Sequence, residues 1–157
     1  MKNIQVLKPY FRVEETLREI KECLEMGWTG MGFKTIEIEE KWKEYTSLPY
    51  AHFLNSATSG LHLAMHILKK ENNWKDEDEI ISTSFTFVST NHAIKYENLT
   101  PVFADIDESL NLNPQEVKNK ITSRTKAIMF VGLGGNSANL LEIIKIAREN
   151  NLKIILD

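Results

Sequence analysis

Apolar positions along the chain change period several times, and turn-forming residues mark each change. Between Glu14 and Met26, Leu17, Ile20 and Leu24 recur at helical spacing, and Gly27 follows as a stop signal. Gly27-Trp28-Thr29-Gly30-Met31-Gly32 reads as a flexible loop holding one large aromatic. A second, charged helix is expected from about Thr35 to Tyr45, with Ile38, Trp42 and Tyr45 as its buried stripe, before Pro49 ends it. Strands and helices alternate from there. Ala51 to Leu54 reads as a short strand, and Asn55 to Gly60 as a polar turn. Leu61, Ala64 and Leu68 form the inner face of a helix, and Glu71 to Glu79 is a solvated connector. Ile80-Ile81 begins a strand, Phe87 to Lys95 a helix, and Pro101 to Ala104 another strand. Asn113 caps and Pro114 opens a short helix. Lys126 to Val131 is the most apolar strand, followed by a turn over Gly132 to Asn136. A helix over Asn139 to Asn150 turns Leu140, Ile143, Ile144 and Ala147 inward, and Leu152 to Leu156 is a last strand before Asp157.

Repeated strand–helix units predict an α/β fold, a mostly parallel sheet covered by helices on both faces. Ligands of such sheets sit outside the carboxyl ends of the strands. The loops after Leu54, Ser82, Ala104, Val131 and Leu156 are therefore where chemistry is expected. An apolar strand running directly into Asp157 is the pattern expected of a sheet interrupted partway.

Composition narrows the class. The 157 residues suit one ordinary core, and 42% apolar with 26% charged residues is the balance of a globular protein. A net charge of −3 without a Lys/Arg cluster argues against a nucleic-acid partner. The longest apolar stretch, Ala127 to Leu133, is far below the roughly 20 residues a membrane span needs. Met1-Lys2-Asn3 leads into no apolar signal region. Cys23 stands alone, fits a reducing compartment and reads as a core residue. The expectation is a cytoplasmic protein.

Five constellations carry possible chemistry, each beside a plainer reading. Asn55-Ser56-Ala57-Thr58-Ser59-Gly60 opens a helix, so free N–H groups and hydroxyls can hold an anion; the same residues also make an ordinary N-cap. Thr83-Ser84-Phe85-Thr86-Phe87 can stack an aromatic on a planar ring, although two phenylalanines taken alone read as core. Gly132-Leu133-Gly134-Gly135-Asn136-Ser137, with Asp157 after the next strand, nearly matches a dinucleotide fingerprint, with Ser137 at the third glycine; a turn of small residues explains it equally. Asp105-Ile106-Asp107 has the spacing of a metal–diphosphate site, or of acids that cap a turn. His62 and His66 stand four apart as zinc ligands can, with His52 or His92 as the third, but Leu63 occupies the position of a metalloprotease glutamate.

In order and spacing these segments resemble the DegT/DnrJ/EryC1/StrS sugar aminotransferases, pyridoxal-phosphate enzymes of the aspartate-aminotransferase fold. The resemblance runs from about Gly27 to Asp157. It is carried by Gly27-Trp28-Thr29-Gly30, Asn55 to Ala64, Ser84 to Asn91, Pro101 to Asp107, Asn111-Leu112-Asn113-Pro114 and Ile121 to Ile128. The fold it implies is the large domain of fold type I, truncated. Residues 1–34 would be an N-terminal helix and substrate-mouth loop, and 35–157 the first part of the cofactor domain. The resemblance implies that Ala57, Thr58 and Ser59 hold the phosphate of pyridoxal 5'-phosphate. Phe87 would stack on its ring, and Asp157 would pair with the pyridine nitrogen. Trp28 and Thr29 would contact the sugar, and Asp105 and Asp107 would be structural.

The implied reaction is transamination of a nucleotide-linked keto-sugar with an amino-acid donor, in a homodimer, for amino-sugar biosynthesis. Two departures stand out. Gly132-Leu133-Gly134-Gly135 occupies the place where many relatives read His-Leu-Tyr-Gly. The Schiff-base lysine of relatives falls past residue 157, and neither Lys95 nor Lys126 stands in its context, so no catalytic residue is assigned and this chain alone is not expected to transaminate. Two other readings remain at this point. One is an NAD(P)-binding oxidoreductase using Gly132, Gly134 and Asp157; the other is a non-catalytic fragment.

Overall fold

A computed structural model describes residues 8–157, so the reading of Met1-Lys2-Asn3 lies outside the described residues. The chain divides into two compact units, one running to Phe53 and the other from Leu54 to Asp157. The second helix, which the sequence boundary at residue 34 grouped with the larger part, falls with the first.

The smaller unit carries α1 (Val13–Glu25) and α2 (Phe33–Thr46). Both apolar stripes are there but neither is buried. Leu17, Ile20 and Leu24 are exposed, as are Ile38, Trp42 and Tyr45, which corrects the buried stripe expected on α2. Cys23 is half-buried rather than core. The reason is size: two helices offer each other one seam, and a unit of this length has too little chain to enclose a core.

The larger unit is a three-layer α/β structure. Its elements are α3 (Ala57–Glu71), β1 (Glu79–Ser82), α4 (Val88–Tyr96), β2 (Thr100–Phe103), α5 (Pro114–Lys120), β3 (Thr125–Phe130), α6 (Leu140–Glu149) and β4 (Lys153–Leu156). The four strands form one sheet in the order β2-β1-β3-β4, and every pairing is parallel. Ala51 to Leu54 is not a strand, contrary to the sequence reading. A strand exists only where a neighbour completes its ladder, and neither edge of this sheet pairs with that segment.

Alternation along the strands divides the core between two faces. Ile80, Ala127, Met129 and Ile155 pack with Leu61 and Met65 of α3 and with Ala93 and Ile94 of α4. Ile81, Ile128 and Phe130 face the other way, onto Val117 of α5 and onto Ile143, Ile146 and Ala147 of α6. On α3 Leu61 is buried and Leu68 packs against the core as expected, while Met65 rather than the half-buried Ala64 fills the middle of that face. Asn113 accepts from Gln115 N at 2.9 Å, and Pro114 opens α5, as its sequence signal implied.

This strand order has one topological switch point. From β1 the chain passes to β2 over the α4 face, returns beyond β1 to β3 over the α5 face, and continues outward to β4 by α6. Helices thus leave β1 and β3 on opposite faces, which opens a crevice at the carboxyl ends of those strands.

Candidate functional site

At the carboxyl ends of the strands Asp157 meets the first turn of α4, which follows Phe87. Asp157 follows β4, anchored by its own backbone: its N–H donates to Phe130 O at 2.9 Å and its carbonyl accepts from Gly132 N at 3.0 Å. Strand alternation puts its side chain on the same face as Ile155, the face that α4 covers. There Thr90 Oγ1 donates to Asp157 Oδ2 at 2.5 Å, and the hydroxyls of Thr90 and Thr86 lie 2.8 Å apart. No other described residue donates to the Asp157 carboxylate, so Oδ1 has no partner among the described residues.

Phe87 stands at the N-cap of α4, beside Thr86. It is 77% exposed and Phe85 is 45% exposed, which overturns the plain reading of both as core residues. An aromatic ring this open at the mouth of a crevice costs hydration free energy that a stacked planar ligand would recover.

The phosphate candidates open α3. Ser56 is the N-cap, and its Oγ accepts from Ser59 N at 3.1 Å and lies 2.9 Å from Ser59 Oγ. Gly60 N bonds Ser56 O, so of the first four amides Ala57 N and Thr58 N keep no intrahelical partner. Those two N–H groups, the positive end of the helix dipole and the hydroxyls of Thr58 and Ser59 are groups that could hold an anion. The capping reading and the anion reading coexist: the cap uses one amide and leaves two.

Topology puts this helix start at the crevice end. α3 ends where Lys69 Nζ meets Asp76 at 2.6 Å, just before β1 enters the sheet. Its 15 residues span about 22 Å, so its beginning lies toward the carboxyl ends of the strands. His62 and Tyr96 bring their ring centroids to 5.2 Å. Thr58 stands four residues before His62, and Thr90 six before Tyr96. Both are about 6 to 9 Å along their helices in the direction of the crevice.

The remaining constellations have structural uses. Asp105 Oδ1 accepts from Ile106 N at 2.8 Å. Asp107 accepts the Ser109 hydroxyl, the Ser109 amide and Asn139 Nδ2, and those bonds hold its carboxyl below the usual aspartate range. These are turn-pinning acids. His62 Nε2 and His66 Nδ1 both meet the Glu97 carboxylate, at 2.8 and 3.1 Å, rather than His52 or His92. Burial pushes the Glu97 carboxyl up, but its hydrogen bonds to His66 and His62 outweigh that and leave it lowered.

The dinucleotide reading of Gly132, Gly134 and Asp157 does not survive. Leu133–Gly135 is a short 3-10 turn, and α6 starts only at Leu140, behind an Asn139 in the left-handed region. Its amides are therefore not presented by the glycine turn, and Asp157 is engaged with α4.

In the smaller unit, Trp28 and Thr29 border a groove of about 590 Å³ between α1 and α2. The Trp28 indole N–H donates to Met31 O at 2.8 Å, and its ring lies where a Gly32 side chain would be, which requires glycine there. Lys34, in contact with Glu19 and Glu22, is held protonated at the groove wall.

Thr86 and Thr90 escaped the sequence reading. Thr86 lies in the bend before the α4 N-cap and Thr90 in the first turn of α4, and nothing local reveals that Asp157, 67 residues on from Thr90, accepts from that pair of hydroxyls.

Comparison with known proteins agrees with this architecture. The family model for the DegT/DnrJ/EryC1/StrS aminotransferase family matches residues 12–157. GDP-perosamine synthase of Escherichia coli O157:H7 is 33% identical over 159 residues, covering all of this chain and 42% of that protein. Helicobacter pylori PseC, an aminotransferase of pseudoaminic acid biosynthesis, superposes with a TM-score of 0.88 at 27% identity, over 99% of this chain and 41% of its own. The E. coli GDP-4-keto-6-deoxy-D-mannose-3-dehydratase, solved with bound hydrated PLP, gives 0.86 at 27% identity, over 96% of this chain and 39% of its own. The chain spans about two fifths of the curated relatives it matches. Its fold is accordingly a truncated fold type I large domain. The chain belongs to the DegT/DnrJ/EryC1/StrS aminotransferase family.

Proposed function

We propose that residues 54–157 supply the cofactor-binding half of a pyridoxal-phosphate enzyme that transfers an amino group to a nucleotide-linked keto-sugar. The observation that carries this reading is the Asp157 carboxylate at the crevice, with one oxygen held by Thr90 and the other without a partner among the described residues. A carboxylate so placed suits a protonated pyridine nitrogen. The donor set fits the rest of the cofactor: Ala57, Thr58 and Ser59 offer amides and hydroxyls to a phosphate dianion, and exposed Phe87 offers a ring face.

When bound, the cofactor supplies an electron sink for bonds at the amine-bearing carbon. The chain's own residues would bind and orient it. Asp157 would keep a proton on the ring nitrogen, the α3 N-terminus would fix the phosphate end, and Phe87 would screen one ring face from water. The lysine that the resemblance places past residue 157 would complete the catalytic set. An amino-acid donor, a homodimeric assembly and a cytoplasmic setting belong to the same proposal. Trp28 and Thr29 are proposed sugar contacts; because the Trp28 N–H is already bonded, Trp28 would act through its ring face. Among the described residues no helix is long and apolar enough to cross a membrane.

The test is an equilibrium titration of the chain with pyridoxamine 5'-phosphate, which already carries its amine and needs no lysine. Saturable binding weakened by Asp157→Asn, by Phe87→Ala and by Thr58→Ala supports the reading. Binding indifferent to all three, or saturable binding of NAD instead, refutes it.

A further inference from the structure

We infer that Thr90, backed by Thr86, is a positioning residue that fixes the orientation of the Asp157 carboxylate. The inference rests on the cofactor reading above and adds to it a specific device. Thr90 is fully buried, and a hydroxyl in that setting must be paired or it costs free energy. Threonines in helices commonly bond the carbonyl one turn back. Thr90 instead gives its single proton to Asp157 Oδ2 at 2.5 Å. An ionised carboxylate only accepts, so that proton is committed. The 2.8 Å contact with Thr86 then has one polarity, with the Thr86 hydroxyl donating to Thr90. Two hydroxyls in series polarise one another and strengthen the terminal bond.

The consequence is orientational. Asp157 stands at the end of a strand, where an aspartate otherwise samples several rotamers. Holding Oδ2 from the α4 side fixes the carboxylate and leaves Oδ1 as the oxygen without a partner among the described residues before any ligand arrives. The ordering cost is met on folding rather than on binding. A valine would fill the same volume, so the choice of a hydroxyl at this buried position is explained by the carboxylate it meets.

The experiment uses the full chain in four forms: unmodified, Thr90→Val, Thr90→Ser and Asp157→Asn. Side-chain coupling constants report the Asp157 rotamer without ligand, pyridoxamine 5'-phosphate titration reports affinity, and thermal melting reports folding. One dominant Asp157 rotamer is expected in the unmodified chain and in Thr90→Ser, with rotamer averaging in Thr90→Val. Affinity should fall roughly tenfold in Thr90→Val, the scale of a lost hydrogen bond to a charged group, and recover in Thr90→Ser. A merely structural role would not give a serine rescue of the rotamer together with the affinity. If Asp157→Asn weakens binding while Thr90→Val leaves rotamer and affinity unchanged, this inference is overturned and the cofactor reading stands. If Asp157→Asn itself leaves binding unchanged, the cofactor reading falls and takes this inference with it.

Discussion

Replacing Ser56 by alanine separates the two jobs of the α3 N-terminus. In the free chain Ser56 Oγ caps Ser59 N at 3.1 Å. Losing an N-cap of this kind costs about 1 kcal/mol, within a range of roughly 0.5–2. The Ser59 amide is then released beside Ala57 N and Thr58 N, which already lack intrahelical partners. A phosphate placed at this helix start gains a third backbone donor in the variant. An anion at a helix N-terminus is worth roughly 0.3–1 kcal/mol, and up to about 2 in a sheltered site, so it compensates for most of the lost cap. The expected result of urea unfolding is a deficit of about 1 kcal/mol for Ser56→Ala without ligand, shrinking to half or less in saturating pyridoxamine 5'-phosphate. Ligand at a hundredfold excess over its dissociation constant stabilises any binding-competent form by about 2.7 kcal/mol, so the comparison is made at equal saturation. A deficit of the same size with and without ligand would show that the phosphate does not reach these amides.

Two further substitutions test the scaffold around the site. Glu79, with only 6% of its side chain exposed, pairs with Arg124 at 2.6 Å and accepts hydroxyls from Thr122 and Thr125 at the opposite end of the sheet. Arg124→Ala should cost about 1–2 kcal/mol in denaturant unfolding, below the roughly 3–5 of a fully broken buried pair because the Arg124 side chain is 60% exposed to water and the two hydroxyls on Glu79 remain. Cofactor affinity should not change. Asp107, whose carboxyl is lowered by Ser109 and then Asn139, contributes stability that is fully present above the ordinary aspartate value of about 4 and is lost as the pH falls through its lower folded value. Asp107→Asn should therefore remove part of the acid sensitivity measured between pH 5 and pH 2; an unaltered pH profile would count against the loop-pinning role.

What could be read in advance follows from how far apart the deciding contacts lie. The three strand–helix pairs from β1 to α6 declare themselves through period changes within a dozen residues, and Asn113-Pro114 announces its own helix start. The α3 anion set is equally local, because amide directions follow from the N-cap alone. Ala51 to Leu54 misled because apolar, extended sequence specifies a strand only when some other segment supplies the ladder. Ile38, Trp42 and Tyr45 form a regular stripe, but periodicity shows only that a helix has an apolar side, not that anything encloses it. The exposure of Phe87 was readable only through the family resemblance, since composition alone favours burial of phenylalanine.

The site itself combines both kinds of information, and the parallel sheet explains why. Parallel strands require crossover helices, and every crossover returns the next strand to the same starting edge. All strand ends, and the starts of the helices that follow them, are thereby collected at one edge however far apart they are in sequence. Reversal of the winding direction between β1 and β3 then parts α4 from α6 and leaves room for a ligand at that edge. A residue in the first turn of α4 and one just past β4 meet there because the topology leaves them no other place, and Thr90 and Asp157 are that pair. The same logic explains why the acid at residue 157 and the glycines after β3 do not make a dinucleotide site despite their spacing. Dinucleotide binding needs a helix whose first amides emerge from the glycine turn, and here α6 begins several residues later, behind Asn139. Spacing along the chain is therefore ambiguous between the two chemistries. The deciding feature is which helix start meets the Asp157 carboxylate, and it is α4.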